Sequence, residues 1–147
     1  MKSEASIEIE RPIEEVFEYT IRKVVEWCSI VVSDEVINET PDMIGTTFKT
    51  VTDDRGREMV FDGRVIEHAP PNRHVVEMVG KQFDIKAEYS FEDIDGNTLV
   101  TERCEVKGKG FFRFMFIVMG WLMRKASCRD LARELENLKK FAESQGD

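Results

Sequence analysis

Glu102 is the residue of this sequence best suited to chemistry. Across Leu99 to Lys107 it shares its alternation with Val100, Cys104 and Val106, so a strand that buries those three buries the carboxyl group with them. A carboxyl group removed from water keeps its proton to higher pH unless a cation or several donors compensate, and it can then act as an acid, a base or a hydrogen-bonding point for a ligand. Tyr89 stands on the apolar phase of the preceding segment, where Phe83, Ile85, Ala87, Tyr89 and Phe91 point one way and Gln82, Asp84, Lys86, Glu88, Ser90 and Glu92 the other. Its hydroxyl needs a partner if buried, and a ligand oxygen, a backbone group or water would each serve. A bulge that flips the register, or an arginine that pairs with Glu102, would leave Glu102 purely structural, and a backbone or water partner would do the same for Tyr89.

Other chemistries find less support. Cys28, Cys104 and Cys128 are too far apart for a zinc motif, odd in number for a disulfide framework and without an adjacent activating base, so they read as small core residues. His68 and His74 flank the turn Ala69-Pro70-Pro71-Asn72, and no acid or thiol stands at a spacing that completes a metal site with them. No serine sits in an elbow motif, and Gly108-Lys109-Gly110 lacks the rest of a phosphate-cradling pattern. Neither a metal nor a cofactor is expected.

The elements that must position Glu102 and Tyr89 are mostly strands. Ile7-Glu8-Ile9-Glu10 alternates as a half-buried strand; Pro12, Glu14 and Glu15 then suit the first turn of a helix, with Val16, Phe17, Val24, Val25 and Trp27 on the buried side of one or two short helices. Two strands lie between Asp34 and Thr52, broken at Pro41 to Gly45, and further strands are expected at Glu58 to His68, Arg73 to Val79, Phe83 to Glu92 and Leu99 to Lys107. No crossover helix separates them, so the sheet is antiparallel. In the Glu58 to His68 strand, Phe61 belongs to the phase of Met59, Gly63 and Val65; this phase is expected inward, with Asp62 and Arg64 outward. The reverse phase would make Arg64 a partner for Glu102 or an anionic ligand.

The last third forms a long helix of two characters. Phe111 to Met123 is strongly apolar, and the tail carries Cys128, Leu131, Leu135, Leu138 and Ala142 on one stripe that projects back onto Arg124, Gly120 and Arg113 as well as Ile117. A straight rod cannot bury both halves equally, so the helix either bends near Gly120 or touches two things at its front. Met115, Met119 and Met123 fall on the front half's second face, which suits ordinary core, a ligand cavity, a homodimer contact or a peripheral membrane contact.

With 147 residues the chain suits one domain over 1–147, without repeats or linkers. Its 21 basic and 29 acidic residues give a net charge of -8, which disfavours nucleic acid as a partner. Met1-Lys2-Ser3-Glu4-Ala5 lacks the apolar core of a secretory signal, and the run after Phe111 is shorter than the roughly 20 residues that span a bilayer. A cytoplasmic location is expected.

The order of elements resembles the START-like superfamily, which includes polyketide cyclases and dehydrases, lipid-transfer domains and the birch pollen allergen type. Ile7 to Phe17 resembles the opening strand, Pro and first helix of that family; Ile44-Gly45-Thr46-Thr47-Phe48 its Gly-to-aromatic landmark; Val65 to Arg73 the strand and Pro-Pro turn; Tyr89 to Glu92 with Gly96 to Thr101 the paired strands; Leu135 to Glu143 the helix ending. The resemblance implies an α+β helix-grip fold, a bent antiparallel sheet of about seven strands with two short helices and a long C-terminal helix. It implies no shared catalytic signature.

These readings converge on an internal, mostly apolar cavity lined by some of Phe61, Phe83, Ile85, Tyr89, Glu102, Cys104, Met115, Met119 and Met123. The leading expectation is binding or carriage of a lipid, isoprenoid or polyketide-like molecule. The alternatives are a cyclase- or dehydrase-like enzyme using Glu102 as acid or base with Tyr89 as donor, and a module docking on protein or membrane through Phe111 to Met123.

Overall fold

The structure is a computed structural model that describes residues 1–145. Strand β1 (Lys2–Ile9) leads into α1 (Ile13–Arg22) and the single turn α2 (Val24–Trp27); β2 (Val31–Asn38), β3 (Thr47–Asp54), β4 (Arg57–Ala69), β5 (Arg73–Val79), β6 (Phe83–Ile94) and β7 (Asn97–Gly108) follow, and α3 (Phe111–Ser144) ends the order. All strand pairs are antiparallel, and the sheet runs β1-β7-β6-β5-β4-β3-β2. The first strand pairs with the last, so α1 and α2 connect opposite edges of the sheet. This is the α+β helix-grip arrangement.

Local chemistry sets the reversals. Arg55 and Gly56 (φ 56° and 85°), and Asp95 and Gly96 (φ 51° and 93°), take the left-handed pair of conformations that closes a two-residue hairpin. Asp53 and Asp93 accept the Gly56 and Gly96 amides at 2.9 and 3.0 Å. At α1, Pro12 stands just before the first turn rather than within it, and Glu14 and Glu15 face the positive end of the helix dipole. Trp27 is buried and donates its indole N–H to the Tyr19 carbonyl at 3.1 Å, whereas Val25, expected on the buried side, lies outward.

The solid core occupies one end of the sheet. Ile13, Val16 and Phe17 of α1 meet Ile9, Phe91 and Val100 of the sheet and Leu135, Leu138 and Ala142 of α3. At this end Lys139 donates to the Glu8 carbonyl at 2.9 Å, and Glu143 accepts both Lys139 (2.8 Å) and the Glu10 amide (3.0 Å), clasping α3 to the end of β1. Non-helical dihedrals at Met119 (φ -115°, ψ 16°) break α3 one residue before Gly120, so its two halves face different surroundings.

Candidate functional site

The alternation of β4, β6 and β7 decides what faces the concave side. On β4, Phe61, Gly63 and Val65 are buried while Asp62 and Arg64 are exposed; Arg64 pairs with Glu77 at 3.6 Å and so lies away from Glu102. On β6 and β7 the register sets Tyr89 opposite Glu102 and Ala87 opposite Cys104. The inward phases of these strands, together with α2, β2, β3 and Leu131 and Glu134 of α3, enclose a cavity of about 390 Å³. Its walls are chiefly apolar, and its volume lies in the range typical of small-molecule sites. Three lining residues, Arg22, Asp34 and Val36, are solvent-exposed and mark its mouth between the end of α1 and edge strand β2.

Polar groups reach the cavity at a few points. Glu102 is buried, and desolvation raises its pKa from 4.5 to about 7; the Tyr89 hydroxyl works against this by favouring the carboxylate, and Glu134 adds to the rise through like charge. Desolvation also pushes the Tyr89 hydroxyl well above its usual range, reinforced by the Glu102 charge. Tyr89 is half-buried and lines the cavity. Glu134 is held by Ser29, which donates its amide at 2.9 Å and also its hydroxyl, and by Asn137 at 3.3 Å. Thr52 Oγ1 is buried with no hydrogen-bond partner among the described residues, and Thr52 lines the cavity. At the mouth, Asp34 accepts the Thr50 hydroxyl at 2.7 Å.

The thiols here are not thiolates. Burial pushes Cys28 up to about 12, helped by Glu134, and Cys104 up to about 12, helped by Glu102, so neither is an activated nucleophile at neutral pH. His74 also lines the cavity; burial and then the neighbouring His68 lower its pKa to about 4, and the two Nδ1 atoms stand 3.0 Å apart, so one must donate while the other accepts. Among the described residues, no three His, Cys, Asp or Glu side chains are grouped to hold a metal ion.

Of the residues singled out from sequence, Phe61, Ile85, Tyr89, Glu102 and Cys104 line this cavity. Phe83, Met115, Met119 and Met123 do not. Phe83 packs at the root of α3 against Phe112 and Phe116, with ring centroids at 4.8 and 5.7 Å, because the front half of α3 runs past the cavity instead of over it. Glu134, Ser29 and Thr52 were missed. A signal for Glu134 existed: it falls between Leu131 and Leu138 on the apolar stripe of the helix, where a carboxylate is out of place.

A family model described as polyketide cyclase / dehydrase and lipid transport matches residues 1–143. The chain belongs to this family. No curated protein sequence matches it. Its fold is similar to that of a START superfamily protein from Mycobacterium smegmatis (TM-score 0.84, 15% identity, 98% of each chain covered). It is similar as well to TTHA0849 from Thermus thermophilus (TM-score 0.83, 15% identity, 100% of each chain). The Zhui aromatase/cyclase from Streptomyces sp. R1128 aligns at TM-score 0.76 and 12% identity over 100% of this chain and 96% of that one. At these identities the likeness speaks for the fold. In this member of the polyketide cyclase / dehydrase and lipid transport family, polar and titratable side chains gather around the cavity. No helix among the described residues is long and apolar enough to cross a membrane.

Proposed function

We propose that the protein binds or carries a hydrophobic small molecule, a lipid, isoprenoid or polyketide-like compound, whose apolar body fills the cavity and whose polar end meets Glu102 and Tyr89. The observation that carries this reading is the cavity of about 390 Å³ whose apolar walls converge on a buried carboxyl group. Burial of the ligand's apolar surface supplies most of the affinity, and the few polar points fix its orientation. Because Glu102 and Glu134 are both carboxyl groups, the favoured polar end is uncharged, a hydroxyl or carbonyl rather than a carboxylate. Native mass spectrometry of freshly purified protein tests the reading. A copurifying apolar molecule, or uptake of a fluorescent lipid probe displaced by a long-chain alcohol, supports it; a protein that carries nothing and takes up neither probe nor alcohol refutes it.

The family's cyclase side supplies a second reading, favoured by the presence of a second carboxyl group, Glu134, at the same cavity as Glu102. A carboxyl group whose pKa lies near 7 can take and return a proton at neutral pH. Glu102 would remove a proton from the carbon next to a substrate carbonyl while Tyr89 donates a hydrogen bond to that carbonyl oxygen. The resulting enolate would attack a second carbonyl of the same chain, and the new alkoxide would recover the proton. Formation of a cyclised product from a poly-β-ketone probe faster than in buffer alone, lost in Glu102→Gln, separates this enzyme from a carrier.

A further inference from the structure

The front half of α3 presents an apolar stripe that the fold leaves uncovered. Phe111, Phe114, Ile117, Val118 and Trp121 recur at helical spacing and point outward, with Ile117 77% and Trp121 76% exposed, although the helix's other face is anchored through Phe112 and Phe116 on Phe83. Such a stripe on a protein surface marks a contact with something apolar.

The surrounding charge says what that contact is. Residues 106–129 contain six Lys and Arg and no Asp or Glu, in a chain whose net charge is -8. Lys107 and Lys109 are partly neutralised by Glu105 and Asp84, but Arg113, Arg124, Lys125 and Arg129 form no ion pair among the described residues. We infer that the front half of α3 docks on the surface of an anionic lipid bilayer, its Phe, Ile, Val and Trp side chains inserted at the headgroup boundary and its free cations on lipid phosphates. A second copy of the chain fits less well, because a symmetric contact would set the same uncompensated cations against each other. Trp121 suits the boundary between headgroups and acyl chains, with an apolar ring and one N–H donor. The inference does not depend on what fills the cavity.

The two tryptophans make the test simple, since Trp27 is buried and Trp121 reports on the patch. Titrate the protein with vesicles of phosphatidylcholine containing one-third phosphatidylglycerol, and with phosphatidylcholine alone. Expected are a blue shift of Trp121 and binding at least about tenfold tighter to the anionic vesicles, weakening as salt rises from about 0.05 to about 0.5 M. Replacing Lys125 or Arg129 by Gln should weaken binding about fivefold each, the factor equivalent to about 1 kcal/mol per surface charge. Trp121→Phe should bind like the parent, and Trp121→Glu, at a position too exposed to affect folding, should abolish insertion. Two results overturn the inference. One is a folded protein that neither shifts nor cosediments with anionic vesicles at low salt; the other is a lipid-free dimer in sedimentation whose formation alone buries Trp121.

Discussion

Tyr89 and Glu102 face each other across the β6–β7 pair, side chain against side chain on the concave face of the sheet. One is a donor and the other a buried carboxyl group, and desolvation governs both. The polar end of the cavity thus rests on neighbouring strands rather than on a loop, which holds it in place before any ligand arrives.

Glu102 should make the protein less stable as pH rises. Its carboxyl group titrates at about 7 in the folded protein against an ordinary 4.5, so the native state holds the proton longer than the unfolded chain. Its stabilising effect is complete below about 4.5 and is lost as pH climbs through 7, a change of about 3 kcal/mol at roughly 1.4 kcal/mol per tenfold change in proton concentration. In Glu102→Gln that loss disappears. The difference in urea-unfolding free energy between parent and variant, followed from pH 4.5 to 8, isolates it from His74, whose lowered pKa acts in both proteins and removes stability as pH falls below its ordinary 6.5. Parallel profiles for the two proteins would mean that Glu102 is not desolvated.

Ligand charge should matter more than chain length. A saturated alcohol and the carboxylate of equal length present the same apolar body, but only the carboxylate brings a negative charge toward Glu102 and Glu134. At pH 8 the alcohol should compete for a lipid probe about tenfold better, a difference of about 1.4 kcal/mol. Glu102→Gln should narrow the gap by removing one of the opposing charges. Equal competition by both compounds in the parent protein would place the polar end somewhere other than these carboxyl groups.

Gly63 makes room for part of the cavity wall. Its partner across the β3–β4 pair is Phe48, and a Cβ at Gly63 would collide with the Phe48 ring, which forms part of the cavity wall. Gly63→Ala must therefore displace the ring from its place in the cavity wall, costing about 1–3 kcal/mol and changing probe uptake. Phe48→Leu alone should cost less, and combined with Gly63→Ala it should restore uptake. Thermal melts and probe titrations of the four proteins close a double-mutant cycle whose coupling term measures the contact; additive effects would show that the ring has somewhere else to go.

Period-two patterning made the sheet readable in the sequence. The inward phases of Phe61, Ile85 and Tyr89 follow from alternation alone, and Glu102 follows from its apolar neighbours. The helix was harder, because apolarity shows that a face needs cover and not where the helix axis runs. Met115, Met119 and Met123 were expected over the cavity, but the break at Met119 and the anchoring of Phe112 and Phe116 on Phe83 carry the front half elsewhere. Ser29 and Glu134, 105 residues apart, meet only through tertiary packing, as do the paired His68 and His74 rings, which depend on the β4–β5 register.

Thr52 offers a test in which stability and binding should move in opposite directions. Its buried hydroxyl has no hydrogen-bond partner among the described residues, so no protein group compensates its removal from bulk water. Thr52→Val keeps the shape and removes the hydroxyl, and the empty protein should gain about 1 kcal/mol or lose nothing. If a ligand's polar atom completes that hydrogen bond, the same substitution weakens binding of a hydroxyl- or carbonyl-bearing ligand by about 0.5–1.5 kcal/mol while leaving a plain hydrocarbon probe unaffected. Calorimetric titration of both ligands into both proteins decides the point. Loss of stability without any change in selectivity would assign the hydroxyl to the fold alone, and the ligand's polar end would then rest on Tyr89 and Glu102 without it.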